Sequence, residues 1–228
     1  MAKNITTTLA AATFLTLGMT SSLPVLAYEA GDWVVRGRIL NIDTNEDTST
    51  IRVDGASFPG SGVNVNNDTI PELDITYMIN PHWGVELILG TSRHTVDGSG
   101  TLDVLGGIID TKVLPPTLTL QYHFAPTSNI RPYAGVGINY TQFYDEEVTG
   151  GLENPGARVT IDDSWGLAVQ AGVDIDINKD WFVNFDVKYI DIDTTANFTN
   201  TAAGTTGVAA VDVDLKPVIF GIGIGTTF

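Results

Sequence analysis

From Trp165 to Ile177 every odd position is apolar: Trp165, Leu167, Val169, Ala171, Val173, Ile175 and Ile177. The even positions hold Gly166, Ala168, Gln170, Gly172, Asp174 and Asp176. A period of two puts one set on one face of a strand and the other set on the opposite face, and no helix can separate them this way. The next segment repeats the pattern, with Trp181, Val183, Phe185, Val187 and Tyr189 against Asn184, Asp186 and Lys188. Six further segments read alike: Asp32 to Ile42, Ile70 to Ile79, Trp83 to Arg93, Leu114 to Phe124, Arg131 to Tyr144 and Val211 to Phe228. Eight strands are predicted.

The connections alternate in length. Asn80 to His82, Ala125 to Ile130 and Asn178 to Asp180 are short and carry turn residues. The stretches 43–69, 95–113, 145–163 and 193–210 are long, polar and rich in Gly, Asn, Asp and Thr. With an even number of up-and-down strands, both termini fall on the short-turn side, the plan of outer-membrane barrels. The segments run to about 10 to 18 residues, where a tilted membrane-crossing strand needs about 9 to 11 and a soluble strand is nearer 5 or 6. Aromatics fall at both ends, with Trp33, Trp83 and Trp181 by the short turns and Tyr140, Trp165 and Tyr189 by the long loops. Such residues suit the two bilayer interfaces. The fold expected is all-β: an eight-stranded antiparallel transmembrane β-barrel with long extracellular loops and short periplasmic turns. A secreted barrel or sandwich with its apolar face turned inward would leave the long strands and aromatic ends without a reason.

The first residues read differently. Lys3, the apolar run from Leu9 to Met19 and the ending Val25-Leu26-Ala27 make a secretory signal peptide over residues 1–27, leaving 28–228 as the barrel. No stretch approaches the roughly 18 apolar residues of a transmembrane helix. A net charge of −16 argues against nucleic acid, whose binding needs a cationic face. With no cysteine, disulfides, thiolate metal sites and cysteine nucleophiles are excluded.

Parity places Arg36, Arg38, Glu72, Asp74, Glu86, Gln121, Asp174, Asp186 and Lys188 on the inward face. An eight-stranded barrel is just wide enough for side chains to fill. Among these, Arg36, Arg38, Glu72, Asp74, Glu86 and Asp186 are expected to form luminal ion pairs that keep buried polar groups satisfied. Gly135, Gly137, Gly166, Gly172, Gly221 and Gly223 also point inward. They either leave open volume or permit bending and close packing, and the sequence does not choose between the two.

The strings EAGDWVVRGR from Glu29, NPHWGVEL from Asn80, LPPTLTLQYHF from Leu114, RPYAGVGINYTQFYDE from Arg131 and DDSWGLAVQAGVDIDINKDWFVNFDVKYIDIDT from Asp162 resemble the outer-membrane protein W (OmpW) family. They cover nearly the whole mature chain in order. The resemblance implies a Gram-negative outer-membrane barrel that passes small hydrophobic molecules through a narrow apolar interior and a sideways exit into the membrane. On that reading Ile88, Tyr133, Phe143 and Phe182 line a short passage, with Gln170 and Lys188 among the lining positions. Lys188 is a departure, because an amine makes a wholly apolar lining harder to defend unless it pairs with Asp186 or Asp174 or lies lower than the solute's path.

Catalysis has little support. His82, His94 and His123 are placed at a turn and on or near the inward face, and no serine has a spacing that names it as a partner. The acidic groups Asp43, Glu46, Asp47 and Asp145, Glu146, Glu147 lack the oxygen-ligand spacing of a calcium loop. They read as solvated loops facing lipopolysaccharide. No metal, cofactor or enzyme activity is expected. The expected partners are outer-membrane lipid, lipopolysaccharide and small hydrophobic solutes. The rival reading is a closed, receptor-like barrel whose loops bind a phage or bacteriocin.

Overall fold

A computed structural model describes residues 27–48, 51–53, 56–57, 59–201 and 208–228. Apart from Ala27, the expected leader lies outside the described residues. Eight strands form the barrel: β1 (Trp33–Asp43), β2 (Asp68–Asn80), β3 (Trp83–Gly90), β4 (Thr117–His123), β5 (Ile130–Val148), β6 (Ser164–Asp176), β7 (Phe182–Ile190) and β8 (Val218–Thr227). Each pairs antiparallel with its neighbours in sequence, and β1 closes on β8 from Val34↔Thr227 to Asp43↔Val218. Closure leaves no barrel strand as a free sheet edge, the condition for a sheet to cross hydrocarbon.

Two of the three short turns are built by asparagine. Asn80 Oδ1 accepts from the backbone N–H groups of His82 and Trp83, at 2.9 and 3.0 Å. Asn178 does the same for Asp180 and Trp181 between β6 and β7, at 2.8 and 3.0 Å. These side chains stand in for backbone acceptors and set the reversal.

The two faces are inverted relative to a soluble domain. Ile39, Leu73, Leu87, Leu120, Val136, Leu167, Phe185, Phe220 and Ile222 are exposed on the outside, while Arg36, Asp74, Glu86, Gln121, Asp174 and Asn184 are fully buried inside. Exposed Trp33, Trp83 and Trp181 ring one end, and Trp165, its ring tilted against Tyr140 with 4.8 Å between centroids, marks the other.

Three expected segments are divided. The segment from Trp83 to Arg93 ends as β3 at Gly90, and a new strand runs Ser92–Gly100. The one from Leu114 to Phe124 contains the end of a strand Gly107–Leu114, then Pro115 and Pro116, then β4. The last splits at Lys216 and Pro217 into Val208–Leu215 and β8. Proline has no N–H to give the ladder, so the pairing stops there. Much of 95–113 and 193–210, expected as polar loop, is therefore strand. These strands, with Ser61–Val65, Arg158–Ile161 and the long upper end of β5, continue the wall above the barrel. They bury an apolar core of their own that includes Val63, Ile108, Ile109, Val148, Phe198, Val211 and Val213.

Candidate functional site: an ion-paired bore beneath an apolar chamber

The lower half of the bore is filled by charge. Arg36 Nη2 lies 2.7 Å from Asp174 Oδ2, and its Nη1 donates to Asp74 Oδ1 at 3.2 Å. Arg38 pairs with Glu72 at 2.6 Å and with Asp74. Lys188 Nζ lies 3.1 Å from Glu72 and 3.0 Å from Asp186. Gln170 Nε2 and Thr119 Oγ1 both donate to Glu86 Oε2, at 2.5 and 2.7 Å. Tyr133 donates its hydroxyl proton to Asp186 at 2.8 Å.

Several of these contacts join strands that are not neighbours. Arg36 on β1 reaches Asp174 on β6, Lys188 on β7 reaches Glu72 on β2, and Gln170 on β6 reaches Glu86 on β3. Each spans the bore. Arg36, Asp74, Glu86 and Asp174 are 0 % exposed, so these charges are shielded from bulk solvent. Buried charges need partners on every side, and the crowding of opposite charges supplies them. Arg131, which parity also turns inward, pairs with Asp176 at 2.6 Å below this network.

The inward glycines make room for side chains. A Cβ on Gly172 would run into the Tyr133 ring, and one on Gly223 would lie 2.6 Å from Arg38 Cγ. Their space is occupied by the plug, so at these two positions the close-packing alternative is the one realised.

The six residues expected as luminal ion pairs, Arg36, Arg38, Glu72, Asp74, Glu86 and Asp186, all lie in this network. The six expected as lining separate. Tyr133, Gln170 and Lys188 belong to the polar network. Phe182 is packed with Tyr28, Val34 and Met78 in a buried cluster at the short-turn end. Ile88 is buried one inward step above Glu86, between Asp74 on β2 and Thr117 on β4. Phe143 alone among them stands on the wall of an apolar chamber above the network.

That chamber leaves about 90 Å³ free to the centres of water-sized spheres, several times the roughly 10–15 Å³ that one water requires. Its wall combines the upper barrel, Ile42, Ile190 and Ile219, with the overlying strands, Val96, Ile109, Val113, Ile161, Ile192, Val211, Val213 and Leu215. The sequence pattern places Val96, Ile109, Val113 and Ile161 in loops, and Val211, Val213 and Leu215 in its last strand. A period-two signal is also present in Ile192, Thr194, Ala196 and Phe198, but the abundant Asp, Thr and Asn around them outweigh it.

Beside the chamber one seam of the wall lacks ladder pairing. β3 and β4 pair as far as Ile88↔Thr117, and the strands above them resume at Ser92↔Val113. The register is continuous across the break, yet Leu89, Gly90 and Thr91 have no ladder partners among Leu114, Pro115 and Pro116. Pro115 and Ser92 also line the chamber, so the interrupted seam borders its interior.

At the outer rim, Asp193 faces Asp214 across an antiparallel pair, and their carboxylates and that of Asp191 bring oxygens within 4.8 Å of one another. Desolvation, then repulsion from Asp214 and Asp191, raises the Asp193 carboxyl above its ordinary range. Lys216 Nζ sits 2.5 Å from Asp214 and offsets part of this charge.

The profile of the OmpW family matches residues 29–228. Outer membrane protein W of Vibrio cholerae serotype O1 is 38 % identical over 216 residues, covering 93 % of this chain and 95 % of that protein. The dibenzothiophene metabolism operon protein PahQ of Pseudomonas aeruginosa is 30 % identical over 205 residues, covering 88 % and 90 %. The crystal structure of the outer membrane protein OprG from Pseudomonas aeruginosa superposes with a TM-score of 0.82 at 38 % identity, covering 90 % of this chain and 99 % of that one.

Proposed function

This chain belongs to the OmpW family of outer-membrane barrels, and from that premise we propose that it is a passive conduit for small hydrophobic molecules. The observation that carries the reading is the apolar chamber bordered by an unpaired seam. A solute entering from outside meets walls of Ile, Val, Leu and Phe, and gains roughly 25 cal/mol for each Å² of apolar surface it takes out of water. It does not continue downward, because the cross-bore ion pairs would have to be broken and left unpaired. The remaining route is sideways, between β3 and β4, where no ladder hydrogen bonds have to be given up. Hydrocarbon lies on the far side of that seam. The name of PahQ, a relative, ties that protein to the metabolism of an apolar aromatic compound, which supports the same class of solute here. No energy source is needed: the gradient and partitioning drive the flow.

The test uses the barrel folded into lipid vesicles and a fluorescent hydrophobic tracer. Entry is expected to be faster than into empty vesicles, and Val213→Trp, which fills the chamber from its wall, is expected to return it to the empty-vesicle rate. Equal entry with and without the wild-type barrel overturns the reading.

A further inference from the structure

Six residues on the chamber wall carry side-chain donors: Thr44, Ser92, His94, Thr111, Thr141 and Thr194. Where each donor proton goes decides what the chamber offers a solute.

Thr44 Oγ1 donates to the Val65 carbonyl at 2.8 Å, Thr141 Oγ1 to Asn139 Oδ1 at 2.6 Å, and Thr194 Oγ1 to the Asp162 carbonyl at 2.5 Å. Thr111 Oγ1 faces the carbonyls of Lys112 and Tyr144, at 3.3 and 3.4 Å. The remaining two residues form a chain. His94 Nδ1 lies 2.9 Å from the Asn66 carbonyl, and Nε2 lies 3.0 Å from Ser92 Oγ. A carbonyl only accepts, so the ring nitrogen facing it carries the proton. In the neutral imidazole the other nitrogen is then an acceptor, and Ser92 must donate to it. The Ser92 proton is thereby used, and only its oxygen lone pairs remain for the chamber.

Among the described residues, every hydroxyl on this wall spends its one proton on a protein acceptor. The chamber thus presents apolar surface and hydroxyl oxygens that can accept, with no side-chain proton to give. We propose that it selects small apolar molecules carrying a single O–H or N–H donor, such as alcohols, phenols and indoles, over molecules of like shape that can only accept, and that Ser92 Oγ accepts the solute's hydrogen bond. This deepens the conduit reading and rests on it. A ketone, ether or ester entering here loses its hydrogen bond to water and finds no replacement, whereas a hydroxyl or ring N–H keeps one. An acceptor left unpaired in an apolar site costs more than a bond exchanged for a bond returns. His94 is the positioning residue, because it fixes the direction in which Ser92 points its proton.

The experiment compares indole with 1-methylindole, which differ in the donor, for binding at pH 8 to the full barrel in nanodiscs, each corrected for uptake by empty nanodiscs. Wild type is expected to favour indole by about three- to tenfold, the worth of one ordinary hydrogen bond. Ser92→Ala removes the acceptor and is expected to bring the ratio to near one. His94→Leu frees the Ser92 proton and is expected to improve 1-methoxynaphthalene relative to wild type, a ligand that only accepts. Equal corrected binding of the two indoles by wild type overturns the inference and leaves the conduit standing if the tracer still enters vesicles. The inference is equally overturned if Ser92→Ala, folded as judged by its heat-modifiable gel mobility, keeps the full wild-type preference. If neither indole binds above empty nanodiscs and the tracer does not enter, the inference and the conduit fall together.

Discussion

Arg36 on β1 and Asp174 on β6 stand three strands apart around the barrel, yet their side chains meet across the lumen with Arg36 Nη2 2.7 Å from Asp174 Oδ2. The contact is a tie rod through the bore. Tyr28 donates its hydroxyl proton to the same carboxylate at 2.6 Å and Asn184 donates to it at 2.8 Å, so both oxygens of Asp174 are engaged. Removing one partner strands a buried charge, which costs about 3–5 kcal/mol. Arg36→Met and Asp174→Leu should each lose stability on that scale, while the double variant should lose less than the sum of the two. Urea unfolding in lipid vesicles, followed by tryptophan fluorescence, measures all three.

The bond from Lys188 to Glu72 is a second crossing. Planar-bilayer recordings of the wild-type barrel should show no porin-sized conductance, because these side chains fill the bore. Shortening both residues, in Lys188→Ala with Glu72→Ala, opens the crossing without leaving either charge unpaired with the other. A small ion conductance should then appear. If it does not, the remaining pairs of Arg38 with Asp74 and Asp186 suffice to keep the bore shut.

The ladder between β3 and β4 is interrupted opposite two prolines. Pro115 and Pro116 offer no N–H, and in the continued register they face Gly90 and Leu89. Replacing both with valine restores two donors and a good strand former. Tracer entry into vesicles should fall several-fold while the barrel remains folded. Unchanged entry would mean that solutes leave the chamber elsewhere.

Asp193 makes the outer wall sensitive to acid. Its folded-state carboxyl is raised by desolvation and by Asp214 and Asp191, so the folded state holds its proton more tightly than the unfolded one does. The associated stability is present below the unfolded pKa and is lost as pH rises through the folded value. Hydrogen exchange in the paired strands Ile192–Thr199 and Val208–Leu215, corrected for intrinsic rate, should slow as pH falls through the range just above the ordinary aspartate pKa. Asp193→Asn should flatten this dependence.

Much of the barrel is legible residue by residue. Alternation in β6 and β7 separates lipid-facing Leu167, Val169, Phe185 and Val187 from luminal Gln170, Asp174, Asp186 and Lys188, and the fold keeps that separation. The turn asparagines and the aromatic ends are equally plain. Lys188 is out of place in an apolar passage; it sits instead among the carboxylates that need it. Phe143, placed on the inward face by the same parity, lies high enough to line the chamber.

What the chain determines alone is which side of each strand meets hydrocarbon, because a period of two is a local property and the bilayer rewards one face over the other at every position. It also determines that the bore is charged. Which charges meet is decided only on closure, since Arg36 and Asp174 are separated by 138 positions and become partners through strand order and stagger. The chamber is likewise a tertiary product: its wall is assembled from Ile42, Ile109, Ile161, Val213 and others scattered along the chain, and none buries an apolar face until the strands above the membrane pack against one another.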